Sequence, residues 1–366
     1  MIDALRDSFG QHGTVYLALG GLFIGALFGG VLFASNFCAM GSLSDIHNFG
    51  DWRRFRAWVL AAATALVGAQ LLQAAGIVAL DRSMYLSAPN LNWVGHILGG
   101  GMLGFGMVFA GGCPSRNLAR AGSGDLRSLL VLVVLGLVAT MAIGGILGPA
   151  RAALEQATSL ALPSATSSLG NLIARATGLA SSSANLLLAA LLAAAAVAFC
   201  LKDRAFRTSP VHVGSGLAVG VLVAAGWAVT GLAFDDMAAR PMPPISLTYV
   251  RPAGDALQWL MLFTAAPMPG FGVASLFGAL LGAFLTARAT GRFRLGSFSD
   301  AGDTLRNLLG AAMMGLGGVM ALGCTVGQAV TGVSTLAIGS LLTFASIVVG
   351  GIWGLRVLER RILADA

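Results

Sequence analysis

Charge is what this chain has least of. Only 10% of its 366 residues are charged, fifteen acids against twenty-two bases, while 57% are hydrophobic and the mean hydropathy is +0.83. A water-soluble fold of this length must cover its apolar mass with a polar shell, and so few ionic side chains cannot supply one. The lipid bilayer is therefore the solvent, and the chain reads as all-α and polytopic. Cysteine is scarce as well: Cys38, Cys113, Cys200 and Cys324 are far apart, with no CxxC and no Cys/His spacing. That excludes a zinc, cluster or haem motif and any evident disulfide framework. His12, His47, His96 and His212 are equally separated, so no metal and no cofactor is expected. The net charge of +7 comes with neither a basic tail nor an aromatic platform, which argues against a nucleic-acid partner. The opening MIDALRDSFGQHG has no basic n-region, and no small-residue cleavage site clearly follows, so Val15 onward is read as a retained span.

What the chain has in abundance is apolar windows and glycine, 51 residues of it. Crossing roughly 30 Å of hydrocarbon takes about 20 apolar residues. Nine windows qualify, near 15–34, 55–79, 92–112, 126–148, 184–201, 211–234, 271–287, 305–323 and 335–357. Threading them puts sixteen basic residues on one side, in clusters at 53–56, 116–127, 202–207, 288–306 and 356–361. Six remain opposite: Arg6, Arg82, Arg151, Arg175, Arg240 and Arg251. Basic loops stay in the cytoplasm, so the N-terminus is expected outside and the C-terminus inside. Trp52, Trp93 and Trp259 are expected to anchor span ends at the interface. Two longer connections, Pro149 to Ala184 and Ala233 to Gly270, are expected to hold short interfacial or re-entrant pieces. Glycines at helical spacing (Gly21, Gly25 and Gly29; Gly216 and Gly220; Gly278 and Gly282) predict close helix contacts.

One glycine-rich passage occurs twice. GGGMLGFGMVFAGGCPSRNLARAG at Gly99 and GAAMMGLGGVMALGCTVGQAVTGV at Gly310 align without gaps. They share Gly99/Gly310, Met102/Met313, Gly104/Gly315, Gly106/Gly317, Val108/Val319, Ala110/Ala321, Gly112/Gly323 and Cys113/Cys324. The copies fall on the third and eighth spans, which run oppositely, as in inverted-repeat transporters. The expected organisation is residues 1–150 as the first repeat, 151–210 as a connecting segment with the fifth span, and 211–366 as the second repeat. Cys113 and Cys324 are then expected to face each other across a pseudo-twofold axis, with Gly112 and Gly323 letting a ligand approach the backbone.

After each Gly-Cys a short polar stretch reads as a half-helix or re-entrant turn. Pro114 suits a first helical turn, which places positive helix-end amides beside Cys113. Ser115 and Asn117 in one copy, Thr325 and Gln328 in the other, add donors. No Asp or Glu lies in the middle of any span, so the path suits an anion or a neutral solute better than a coupling cation. Cys38 follows the first span; its repeat partner is expected near Val229, where the symmetry is broken, and position alone leaves its role open. Cys200 reads as a small hydrophobe at a span end, and the arginine clusters as topology determinants, with Arg116, directly after the Cys113 turn, the one that could do more.

Three stretches, FCAMGSLSD at Phe37, GFGMVFAGGC at Gly104 and FRLGSFSDAGDTLRNLLGAAMMGLGGVMALGC at Phe293, resemble the YeeE/YedE family of sulfur-transport membrane proteins in order and spacing. The resemblance runs over nearly the whole chain. It implies an inverted-repeat bundle of nine spans in a bacterial inner membrane, with short re-entrant helices pinching the path. It implies a transporter, not an enzyme, that imports thiosulfate or a closely related sulfur oxyanion, and it puts Cys38 on the path beside Cys113 and Cys324. A small cytoplasmic sulfur carrier of the TusA type is the partner it suggests, with membrane lipid around the bundle. The chain departs from the best-understood importers in lacking a basic residue beside Cys38 and in carrying Pro114 after Cys113. Neutral thiols are required, because a thiolate would repel a dianion at low dielectric, so a noncovalent S–H relay is expected. Alternatives are a transporter of another sulfur or selenium compound, or a membrane thiol oxidoreductase using Cys113 and Cys324.

Overall fold

The computed structural model describes residues 2–86, 90–162, 166–235, 237, 242–265, 267–298 and 300–365, with side chains from residue 12 onward except those of Ile362 and Asp365. Arg240 and the side chain of Arg6, both counted above for topology, lie outside the described residues. Fifteen α-helices follow one another: α1 Ile2–Ser35, α2 Ala39–Phe49, α3 Arg53–Ala74, α4 Trp93–Phe109, α5 Pro114–Gly122, α6 Leu126–Ile143, α7 Gly148–Thr158, α8 Leu169–Thr177, α9 Ser181–Leu201, α10 Arg204–Arg207, α11 Pro210–Leu232, α12 Arg251–Met261, α13 Phe271–Ala289, α14 Ala301–Met320 and α15 Ile338–Asp365. Lipid offers no partner for exposed backbone groups, so apolar windows satisfy theirs internally as helices. Among the described residues the sheet is a two-stranded pairing of β1, Asn90–Asn92, with β2, Ser159–Ala161.

Among the described residues eight stretches are long and apolar enough to cross a membrane. The ninth expected span, 305–323, is a 20-residue helix, α14, but is not among the eight. Its first two turns carry Asp303, Arg306 and Asn307, and these dilute its hydropathy. It packs against α4 and α6, so it lies inside the bundle and needs no fully apolar surface. Both long connections hold short pieces, α7, β2 and α8 in the first and α12 in the second.

Glycine sets how the helices approach. On α1, side chains at Gly25 and Gly29 would run into the backbone of Ser275 and Ala279 on α13. Reciprocally, side chains at Gly278 and Gly282 would run into Leu22 and Ala26. Gly216 and Gly220 on α11 lie against Ala57 and Ala61 on α3.

The repeated passage makes the closest crossing. A β-carbon at Gly99 of α4 would lie 2.6 Å from the Gly317 carbonyl of α14, and one at Gly106 would lie 2.7 Å from that of Gly310. Built from the other side, β-carbons at Gly317 and Gly310 each come within 2.6 Å of the Gly99 and Gly106 carbonyls. Ascending from Gly99 to Gly106 meets α14 descending from Gly317 to Gly310, so the two helices are antiparallel. Because Gly99 aligns with Gly310 and Gly106 with Gly317, exchanging the copies maps each contact onto the other.

Three helices are broken, and each break ends in a cysteine. Left-handed residues mark all of them: Asn36 (φ 53°) after α1, Gly111 (φ 69°) after α4 and Leu322 (φ 59°) after α14. Gly111 and Leu322 are equivalent positions of the repeat. A leucine in that region is disfavoured by its β-carbon, so the second break is held by its surroundings at a local cost.

Candidate functional site

The short helices that follow the breaks aim their N-termini at the thiols. Cys38 is the N-cap of α2, and the Gly41 amide donates to its Sγ at 3.4 Å. Cys113 is the N-cap of α5, with Pro114 in the first turn as expected. Its sulfur lies 3.9 Å from that of Cys38 and 3.3 Å from Ser115 Oγ. The first repeat therefore builds a two-thiol station in which Cys38 and Cys113 meet, though they lie 75 residues apart. Cys38, whose role the sequence left open, is brought directly onto Cys113.

Cys324 sits in a second station. Its chain turns into a π-helix, Gly327–Gly332, instead of an α-helix, and the Gly327 amide donates to its Sγ at 3.3 Å. Thr248 bridges to it: the hydroxyl donates to Sγ at 3.8 Å, and the Cys324 amide lies 3.5 Å from that same oxygen. Among the described residues no hydrogen bond joins Cys113 to Cys324, and the thiols within hydrogen-bonding reach of each other are Cys38 and Cys113. Cys113 and Cys324 are fully buried.

The counterpart of Cys38 also falls elsewhere than expected. The helix equivalent to α2 is α12, whose N-cap is Val250, so the matching position is at Tyr249–Val250 and not near Val229, which lies within α11. Where the first station has a second thiol, this one has a tyrosine. The Tyr249 amide faces the Cys324 sulfur, while its ring stacks on Phe28 at 5.4 Å and its hydroxyl lies beside Ser275 on α13.

Asn117 and Gln328 are equivalent positions with a common use. Asn117 Nδ2 donates to the Gly112 carbonyl at 2.8 Å and to that of Cys113 at 3.3 Å. Gln328 Nε2 donates to the Ala321 carbonyl. Their amide hydrogens are engaged in holding the Gly-Cys turns, whose carbonyls have left the preceding helices. What remains open at the second turn is Gln328 Oε1 and the Thr325 hydroxyl, both buried and without a hydrogen-bond partner among the described residues. Gly112 and Gly323 pack against the side chains of residues 117 and 328 respectively.

Each station adjoins a cavity. One, of about 280 Å³, is lined by Met40, Gly111, Asn117, Arg120, Arg127, Arg306 and Asp303 among others. The other, of about 180 Å³, is lined by Thr248, Arg251, Arg151, Val319, Leu322 and Gly323. Met40 and Arg251, Val108 and Val319, and Gly111 and Leu322 are separated by the same offset as the two aligned passages, so the cavities share three matching wall positions. The first lies at the C-terminal end of α4 and the second at the C-terminal end of α14; because those helices are antiparallel, the cavities lie at opposite ends of the bundle.

Charge is tightly organised at the first cavity. Arg120 meets Asp125 at 2.6 Å, Arg127 meets Asp125 at 3.4 Å, and Arg306 pairs with Asp303. Asp125 also caps α6 by accepting from the Arg127 amide at 3.1 Å. Burial alone pushes its carboxyl up, but Arg120 and Arg127 overcome this and hold it below the usual carboxylate range. A lowered folded-state pKa contributes stability that is present above the unfolded value and lost as pH falls through the folded one. Asp125→Asn is therefore expected to lower the unfolding temperature in detergent at pH 7, and the gap to wild type to close as pH falls below about 4; a gap independent of pH would mean that the ion pairs contribute nothing.

Arg116 stands apart. It is half-buried beside Cys38 and Cys113, in the field of Arg54 and Arg120, and among the described residues it has no carboxylate within ion-pair distance. Cys200 makes no hydrogen bond to either station among the described residues and donates to the Arg56 carbonyl at 3.3 Å. His96 is buried against Thr343 at 2.7 Å, and no group of three or more metal-binding side chains occurs among the described residues.

Tyr85, Thr248 and Tyr249 were not singled out from sequence. A signal was present: only three tyrosines occur in the chain, and two of them are buried around Cys324.

The chain matches the family described as Sulphur transport over residues 34–353. It is 27% identical to the thiosulfate transporter TsuA of Escherichia coli K12 over 336 residues, which covers 85% of this chain and 86% of that one. It is 28% identical to the thiosulfate transporter TsuA of Spirochaeta thermophila over 341 residues, 90% of this chain and 96% of that one.

Proposed function

Because the chain belongs to the Sulphur transport family, we propose that it carries thiosulfate inward across the bacterial inner membrane, with its N-terminus outside, handing the ion between buried thiols without covalent chemistry. The observation that carries this reading is the set of three helix breaks, each ending in a thiol, placed between two arginine-lined cavities at opposite ends of the bundle. Support for the substrate comes from the two thiosulfate transporters that match most of the chain.

The chemistry fits a dianion with one soft sulfur end and three hard oxygens. Moving such an ion out of water is costly unless donors replace its hydration. Each station offers S–H groups, helix-end amides and hydroxyls, and charge-assisted bonds of this type contribute about 1.5–3 kcal/mol apiece. Arg116 adds an unneutralised positive charge at the Cys38/Cys113 station. Because no carboxylate lines either thiol, nothing there repels the ion, and bonds to neutral thiols are weak enough to release it. The reciprocal glycine crossing supports two inverted repeats, spanning 1–150 and 211–366, as the scaffold. A small sulfur carrier of the TusA type would take the ion from the inner cavity.

The test is uptake of labelled thiosulfate in cells lacking other importers. Saturable uptake, competed by unlabelled thiosulfate and not by sulfate, is the expected result. Absence of uptake with the protein in the membrane overturns the substrate assignment, and competition by a selenium analogue alone would favour a different cargo.

A further inference from the structure

Around Cys324 there are more hydroxyls than the fold itself uses. The Tyr85 hydroxyl is buried beside that of Thr248 without forming a hydrogen bond of ordinary geometry. Thr325 Oγ1 is buried with no partner among the described residues. Thr248 already reaches the Cys324 sulfur. A residue other than glycine at 327 would collide with the Thr248 hydroxyl and place its β-carbon 3.5 Å from the Tyr85 hydroxyl. Glycine there is what lets both hydroxyls come up to the turn that carries the thiol. The cavity on this side has Thr248 and Gly323 in its wall, so Thr248 lies between the cavity and the Cys324 sulfur it touches, with the Tyr85 hydroxyl beside it and Thr325 next to Cys324 in the chain. Desolvating donors and leaving them unmatched is unfavourable, and native structures retain such groups where a ligand completes them.

We propose that the unmatched hydroxyls of Tyr85 and Thr325 form an oxygen-binding station on the outer side of Cys324, with Thr248 positioning the thiol, and that this station takes the sulfonate end of the ion while the thiol meets its terminal sulfur. This rests on the reading of a sulfur oxyanion as cargo and extends it to the residues that orient it. Hard oxygens prefer O–H donors and the polarisable sulfur tolerates S–H, so the outer station distinguishes the two ends of the ion. The Cys38/Cys113 station is built differently: its one hydroxyl neighbour, Ser115, is engaged with Cys113, and its unmatched group is a cation, Arg116. The outer station therefore selects and orients, and the inner one receives by charge and by sulfur.

Tyr85→Phe tests the idea with little disturbance, since the ring keeps its edge contact with Trp227, at 6.4 Å between centroids, and loses only the hydroxyl. In labelled-thiosulfate uptake at matched membrane level, KM is expected to rise about tenfold or more, with Vmax within about twofold of wild type. Thr325→Val should raise KM in the same way and Thr325→Ser should restore it. Unchanged KM in both Tyr85→Phe and Thr325→Val, in a protein whose wild type transports, overturns the station. A fall in Vmax alone assigns these hydroxyls to packing and overturns it too. If wild type itself takes up no thiosulfate, the fault lies in the cargo assignment on which the station rests.

Discussion

Thiosulfate uptake is expected to fall by about 10- to 100-fold when either Cys113 or Cys324 is replaced by alanine, corresponding to the loss of one charge-assisted donor in a dry constriction. The argument rests on position. Both sulfurs are fully buried, each lies at the end of a broken glycine-rich helix, and each is contacted by polar groups arranged around it: Cys38 and Ser115 at Cys113, Thr248 and the Gly327 amide at Cys324. Alanine removes the donor and leaves a gap of one sulfur, small enough that the fold is expected to persist. Cys200→Ala is the control. Among the described residues its thiol donates only to the Arg56 carbonyl and to neither station, and uptake should stay within about twofold of wild type. Radiolabel uptake normalised to membrane protein decides the matter. Equal rates in all three variants would reduce the repeated Gly-Cys to packing and end the relay mechanism.

A large effect of another kind is expected from Gly310→Leu. A β-carbon at this position would lie 2.5 Å from the Ala110 amide nitrogen and 2.6 Å from the Gly106 carbonyl, so α4 and α14 would have to separate along their whole crossing. Forcing extra atoms into a packed contact costs about 1–3 kcal/mol, and more where backbone rather than side chain must yield. The variant should show a lowered unfolding temperature in detergent and little correctly assembled protein. Gly101→Ala, on the same α4, is the comparison: nothing lies within 4 Å of a β-carbon built there, and it should melt as wild type does. If the two variants melt alike, the α4–α14 crossing does not hold the bundle together.

Much of this was legible in the sequence because the repeat is gapless. Gly99, Gly106, Gly310 and Gly317 could be aligned by eye, and their antiparallel meeting follows from the opposite orientation of the spans that carry them. Pro114 likewise announced the helix that Cys113 caps. What stayed hidden depends on contacts between distant segments. Nothing local to SNFCAMG says that Cys38 will touch Cys113, because that contact is made by two helix starts converging from different spans. Asn117 and Gln328 looked like donors for a ligand because composition cannot show that a turn has freed the carbonyls of Gly112 and Ala321 to claim them. Helix α14 read as a full span from its glycines and methionines, while its polar first turns serve as the wall of the charged cavity at the end of α4. Tyr85 was passed over because its role depends on Thr248 and Thr325, which no spacing rule connects to it.

The buried middle of the protein has a consequence for the cell's electrical economy. Between the two cavities lie Cys113, Cys324, Thr325 and Gln328, all nearly or wholly inaccessible to water. A proton or chloride ion meets no water-exposed side chain among these four and would have to shed its hydration to pass them. A voltage across the membrane therefore meets a dry barrier in this protein, which needs no separate gate to hold it.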